Sequence, residues 1–375
     1  MTVPTTSTPT SPYIYVNAQL PTVWAPPVVT DRAELDPAEL HGLLAGNDVT
    51  ITPPSAGSVE ERLLAVFTDP EVLFGDPDFI PAHTAEWIER FSRFTAVGEP
   101  IEFVTMAFPY KVPNPLKTDR RAPDLGEALM LRRFQAVLDA VGQVYRPGAR
   151  LTILEEGILG RCQGVDPRRI AAYRVGIDAI TELSGVDRDR VGFHSLDDMA
   201  ELVPNFEARW IFEQERLREL WDTGDPVVRA AYATTNAAQR TSVPTWDYDP
   251  AVLARAYDPD QTGSELRYAR DYIDKVSHRQ FFAYRAALGL RDAGYLEQIA
   301  PGALKLTVSP KPENLAVVPV NRVSRVLPYH GVPVLFPDGR WEVRYLGGLG
   351  ELGPVQALHL AADPDPAPIG YRVTG

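Results

Sequence analysis

The 375-residue chain holds a single cysteine, Cys162, which excludes an intramolecular disulfide and any cysteine-rich metal site. Positive charge is short: 37 Lys and Arg stand against 50 Asp and Glu, for a net charge of −13. That balance argues against nucleic acid or an anionic membrane as main partner, because both demand a basic face. No apolar run approaches the ~20 residues that span a bilayer. The N-terminus also lacks the charged-then-apolar pattern of a signal peptide, so a cytoplasmic location is expected. The six histidines show neither helical pair spacing nor cysteine company, so no metal site is expected. A G-x-S-x-G elbow and a Walker loop are both missing, and no internal repeat is visible.

What is present is a hydrophobic content of 45%, enough for a large core. The order of segments predicts an α/β fold: a Rossmann-like, mostly parallel sheet flanked by helices, with a helical layer and a smaller β-rich C-terminal part. Residues 1–57 read as a disordered tail, MTVPTTSTPTSP, and an extended segment with one short helix at Pro37. Residues 58–195 form the α/β core, and 196–300 are mostly helical, with Asp-Pro helix starts at Asp225 and Asp249. Residues 301–375 turn to strand periodicity and end in a proline-rich, flexible tail.

The organising stretch runs from Ile101 to Tyr145. Ile101 to Phe108 is almost wholly apolar, as in a strand covered on both faces. Pro109, Pro113, Pro115 and Pro123 then stiffen a loop that carries Lys111, Lys117, Arg120 and Arg121. From Leu125 apolar residues recur at helical spacing, with Asp124 as N-cap and Glu127 in the capping-box position. A second apolar strand, Arg150 to Leu154, ends at Glu155-Glu156-Gly157. These two strands are expected to be parallel neighbours. Cations after one strand and carboxylates after the next sit where open α/β sheets place ligands, and free N–H groups at a helix start favour an anion. The competing reading is four solvated cations in an exposed surface loop.

Gly348-Leu-Gly350-Glu-Leu-Gly353 matches the dinucleotide fingerprint, but Pro354 interrupts the required helix and too few residues follow for a second strand. No nucleotide is therefore expected there. His330, in Leu327-Pro-Tyr-His-Gly-Val, lies in a turn between predicted strands, where a structural role and a proton-transfer role are both open.

Several of these segments together resemble the isocyanide synthase family, which includes the pyoverdine/dityrosine biosynthesis proteins. Ala107-Phe-Pro-Tyr-Lys111-Val-Pro113-Asn114-Pro-Leu-Lys117, followed by Pro123-Asp124-Leu-Gly-Glu127, is similar to the family's F-P-x-K-x-P-N-P-x-K … P-D-x-x-E. Tyr145-Arg-Pro147-Gly148-Ala, Arg279-Gln-Phe-Phe-Ala-Tyr284, Leu304-Lys305-Leu-Thr-Val-Ser309-Pro310 and Tyr329-His330-Gly-Val resemble its later blocks, in order. The resemblance implies that the amine of an amino acid, tyrosine- or tryptophan-like, condenses with ribulose 5-phosphate and leaves as an isonitrile, without a metal or redox cofactor. It implies Lys111 and Lys117 at the phosphate or sugar oxygens, with Lys305 as a further cation and Asn114, Arg121, Asp124 and Glu127 around the substrate. Glu156, with Glu155 and His330, would move protons.

The chain departs from the family where S-D-G is replaced by Glu155-Glu156-Gly157 and where Ser309 stands in place of a histidine. Two alternatives therefore remain beside isonitrile formation. One is a transferase or lyase of the same fold that yields a formamide or imine; the other is a non-catalytic homologue that binds a metabolite or a pathway partner. An iron/2-oxoglutarate oxygenase is the pathway partner the resemblance implies, and a homodimer is compatible with it.

Overall fold

The computed structural model describes residues 20–374 except 75–77, 109, 241, 244–247, 309–313, 325, 362 and 364. The N-terminal tail over residues 1–12 and the Ser309 position thus lie outside the described residues. The strands are β1 (Val28–Leu35), β2 (Ile101–Met106), β3 (Ala149–Glu155), β4 (Val191–Ser195), β5 (Leu304–Thr307), β6 (Leu315–Ala316), β7 (Val332–Leu335), β8 (Trp341–Arg344), β9 (Pro354–Leu360) and β10 (Gly370–Val373). The longer helices are α1 (Pro37–Ala45), α2 (Val59–Thr68), α3 (Thr84–Thr95), α4 (Leu125–Val144), α5 (Pro167–Ser184), α6 (Phe206–Asp222), α7 (Pro226–Arg240), α8 (Pro250–Tyr257) and α9 (Ser264–Leu290).

The fold is α/β, as expected, and β2 lies at the centre of a five-stranded sheet ordered β4-β3-β2-β5-β6. Every pairing in this sheet is parallel. β2 and β3 run in unbroken register from Ile101 opposite Ala149 to Met106 opposite Leu154, so their C-terminal ends open side by side. α4 connects them. Its start has the physical cause read from the sequence: the Asp124 carboxylate accepts from the Gly126 N–H, and the Glu127 carboxylate accepts from the Asp124 N–H. Ser58 and Glu61 cap α2 in the same reciprocal way.

β2 ends at Met106, two residues before the expected Phe108. Phe108 takes a φ of 57°, a left-handed conformation unusual for a bulky side chain, and this turns the chain out of the sheet. The region from Phe206 to Leu290 is the expected helical layer, with α9 packed against α6, α7 and α8. Trp221 of α6 anchors it through edge contacts with Tyr232, His278 and Phe282.

The chain ends depart from expectation. The segment expected to be merely extended before residue 57 contains β1, and the expected flexible tail contains β10. Both pair with β9, β1 in parallel and β10 antiparallel. Together with β7 and β8 they form a second, mixed sheet ordered β1-β9-β10-β7-β8. β1 is exposed along most of its length and has no apolar alternation, while β10 has only four residues. Neither carries a local strand signal, and each exists because a distant partner supplies the hydrogen bonds.

Gly348 to Leu352 lies in the tight turns of Leu346–Leu352, and Gly353 follows them ahead of β9. Gly350 is the motif glycine that packing requires. The Ala25 N–H donates to the Gly347 carbonyl at 2.7 Å, the Gly350 N–H donates to the Ala25 carbonyl at 2.8 Å, and a Cβ on Gly350 would meet the Pro26 carbonyl oxygen at 2.6 Å. Gly350→Val is expected to cost about 1–3 kcal/mol of stability, the usual range for overpacking. Urea denaturation checks this, and an unchanged midpoint would show that the contact does not hold the N-terminal segment.

Candidate active site

The loop that leaves β2 is buried, so the surface-loop reading fails for three of its four cations. Lys111, Lys117 and Arg120 are 3%, 1% and 2% exposed. The C-terminal third of the chain covers them. The Leu346 and Gly347 N–H groups donate to the carbonyls of Lys117 and Leu116, while Arg120 donates to the Ala367 carbonyl and to Asp363. Only Arg121 is exposed, and it is held by its backbone N–H on Asp365. Its side chain therefore does not join the buried group that its neighbours form.

Lys111 sits in a cage of four oxygens. Its Nζ lies 2.5 Å from Asp124 Oδ2, 3.4 Å from Glu127 Oε2, and 3.1 and 3.2 Å from the carbonyls of Pro328 and Gly331. Glu127 in turn accepts from the Tyr173 hydroxyl at 2.9 Å. Burial lifts the Asp124 carboxyl well above its ordinary value, with Glu127 adding to the rise and Lys111 opposing it. Asp124 and Glu127, expected around the substrate, thus cap α4 and hold Lys111. Asn114 has a comparable local task. Its side-chain oxygen accepts from the Leu116 N–H, and its backbone bonds to Lys117 and Thr118 fold the tight turn that presents Lys117.

Around that turn the structure gathers Lys111, Lys117, Glu156 and His330 with three buried or half-buried tyrosines, Tyr110, Tyr284 and Tyr329. Burial pushes the Lys117 ammonium down to about 7, with Lys111 adding to the fall and Glu156 opposing it. Burial lifts the Glu156 carboxyl to about 7 against the pull of Arg291 and Lys117. His330 is held well below its ordinary value by burial and by Lys117 and Lys111, so its imidazole is neutral at pH 7. The hydroxyls of Tyr110, Tyr284 and Tyr329 are all raised, by burial first and by the Glu156 charge second or close to it. Such a group can donate, accept and relay protons near neutral pH. Cys162 is no nucleophile here, because burial pushes its thiol up to about 12.

Two expected participants stand apart. Glu155 lies 2.7 Å from Arg174 Nε, and the charges acting on it are those of Arg174, Asp178, Asp197 and Asp198 rather than of the lysines. Glu155 is the last residue of β3 and Glu156 lies just past the strand end, and the two carboxylates respond to different charges. Lys305 is half exposed on β5, with Asp292 3.9 Å away as its ion partner. The three tyrosines were not singled out as site residues. Each stood inside a quoted motif, but an aromatic next to a lysine or histidine reads equally well as core.

The description Pyoverdine/dityrosine biosynthesis protein matches residues 91–243, which contain both β2 and β3 and their loops. The L-tyrosine isonitrile synthase of Pseudomonas aeruginosa is 28% identical over 278 residues, covering 70% of this chain and 79% of that protein. The L-tryptophan isonitrile synthase AmbI2 of Fischerella ambigua is 34% identical over 116 residues, 31% of this chain and 34% of that one. The crystal structure of the PvcA protein from Pseudomonas aeruginosa superposes with a TM-score of 0.65 over 84% of this chain and all of that chain, at 24% identity, a shared fold.

Lys111→Met is expected to destabilise the protein by about 3–5 kcal/mol, because it leaves Asp124 and Glu127 buried without their counter-charge. Guanidinium unfolding followed by circular dichroism measures it, and an unfolding free energy equal to that of the parent chain would refute the cage.

Proposed function

We propose that this chain, a divergent relative of the pyoverdine/dityrosine biosynthesis proteins and of the isonitrile synthases, is a biosynthetic enzyme that condenses an aromatic amino acid with ribulose 5-phosphate to form an isonitrile. One arrangement carries the reading: Lys117 and Glu156, a cation and a carboxylate both buried beyond the ends of β2 and β3, act on each other, and burial brings each to about 7. Amine–ketone condensation needs that pair. The amine attacks only after losing a proton, and the former ketone oxygen leaves as water only after gaining protons. In this reading Glu156 accepts the proton from the substrate ammonium and returns it to the carbinol oxygen. Lys117 stabilises charge developing on that oxygen, and the tyrosine hydroxyls orient it. The four-oxygen cage keeps Lys111 from acting as a free phosphate clamp. Its positive charge instead raises the potential around Lys117 and His330, both of which respond to it.

With Glu156 required as carboxylate and Lys117 as ammonium, kcat/KM should rise as pH climbs toward about 7 and fall beyond it, a narrow bell belonging to the coupled pair. Glu156→Gln keeps the shape and removes the acceptor, so turnover should drop roughly 100-fold or more with substrate binding nearly intact. The acid limb of the bell should vanish with it. The assay incubates the protein with tyrosine or tryptophan and ribulose 5-phosphate and follows isonitrile and formamide by mass spectrometry. Formamide alone would assign the shorter reaction of the same fold, and neither product with no sugar-phosphate binding would leave a non-catalytic binding protein.

A further inference from the structure

A cavity of about 640 Å³ lies between α6, α7 and the C-terminal half of α9, with Met106 at the end of β2 on its wall. Leu217, Leu220, Val228 and Leu288 make one side of it apolar. The polar side is uneven. Arg216 is engaged by Glu213 at 2.7 and 2.5 Å, and the Asp225 carboxylate accepts from the Val227 and Val228 N–H groups as the cap of α7. Arg291 reaches across the cavity from the end of α9, with one Nη 2.8 Å from Met106 Sδ and the rest of its guanidinium on Asp292. Arg285, half-buried one turn and a half earlier, has no hydrogen-bond or ion-pair partner among the described residues.

Arg291 continues the helical geometry of α9, and the chain kinks just after it, where Ala293 and Gly294 leave helical φ and ψ. Tyr284 lines this cavity together with Arg285 and Arg291, and its hydroxyl, raised first by burial, also feels the charge of Glu156. Arg285 thus lines a partly apolar chamber as a cation that no hydrogen bond or ion pair among the described residues engages, and an anionic group placed there would gain a charge-assisted bond.

Building on the proposed reaction, we infer that this chamber, which Tyr284 lines, is a substrate-binding site, with Arg285, beside Arg291, gripping the anionic group of a substrate. The apolar side takes the uncharged part of the same molecule. The anion is a phosphate or a carboxylate, and both substrates of the proposed reaction carry one.

Calorimetry on the full chain separates these sources with four probes: inorganic phosphate, ribulose 5-phosphate, tyrosine and tyrosinamide. Arg285→Gln should weaken an anionic probe by about tenfold or more, the loss of one charge-assisted bond, and Arg285→Lys should lose less because the charge remains. Weakened ribulose 5-phosphate and inorganic phosphate assign the phosphate; weakened tyrosine with tyrosinamide unchanged assigns the carboxylate. Leu217→Trp, which fills the chamber from α6 without altering charge, should weaken the same probe. Unchanged affinities in Arg285→Gln, or no binding of any probe to the parent chain, would overturn the inference. The reaction is judged separately. Arg285-dependent phosphate binding without isonitrile or formamide would sink the chemistry and leave the chamber, whereas product formation by Arg285→Gln at the parental KM would sink the chamber and leave the chemistry.

Discussion

A lysine ammonium moved out of water into a protein interior must recover several kcal/mol of lost hydration from whatever surrounds it. Lys111 recovers it from two carboxylates of α4 and two carbonyls of the turn before β7. Those four oxygens come from two regions far apart in the chain, so the ion cage joins the central parallel sheet to the second, mixed sheet. The neighbouring turn inherits its position from this joint. Asn114 folds it, Leu346 and Gly347 close over it, and Lys117 is buried. The placement of Lys117 thus depends on one buried ion pair network rather than on the strand ends alone.

The same burial sets the chemistry against the stability of the fold. The folded chain holds the Glu156 proton more tightly than the unfolded chain, so its ionisation costs stability progressively as pH rises from the ordinary value of 4.5 to about 7. Lys117 works in the opposite direction: its protonation costs stability as pH falls from the ordinary 10.5 to about 7. From these two groups the folded state is weakest around pH 7.

How far the site could be read from the sequence depended on whether the relevant signal was local. The strand, loop and helix from Ile101 to Val144 and the parallel partner from Ala149 were legible, because apolar runs, prolines and the Asp124 and Glu127 cap act within a few residues. Lys111, Lys117 and Glu156 could be expected together because they follow the ends of β2 and β3, whereas His330 entered the candidate site only through the family resemblance. Which side a residue faces was not legible. Glu155 ends β3 and Glu156 follows it, and Arg120 and Arg121 are neighbours in a loop covered by residues from the C-terminal part of the chain. β1 and β10 were missed on similar grounds, since their strand character belongs to β9 as much as to themselves. The double duty of Asp124 and Glu127 was hidden because a cap and a counter-ion call for the same residue types.

The cage also dictates an order of assembly. α4, with Asp124 and Glu127, leaves the ribosome soon after the loop it caps, but the Pro328 and Gly331 carbonyls follow Lys111 by 217 and 220 residues. β1 waits longer still for β9, from Thr30 to Val355 a separation of 325. During synthesis the central strands can pair while the lysine loop is still uncovered, and every late contact must close a loop spanning most of the chain before it returns any free energy. A nascent chain of this kind leaves its lysine loop uncovered until the Pro328 and Gly331 turn has emerged. Folding should be slow, dominated by long-range closure, and the interval before closure is when the protein depends most on protection from aggregation.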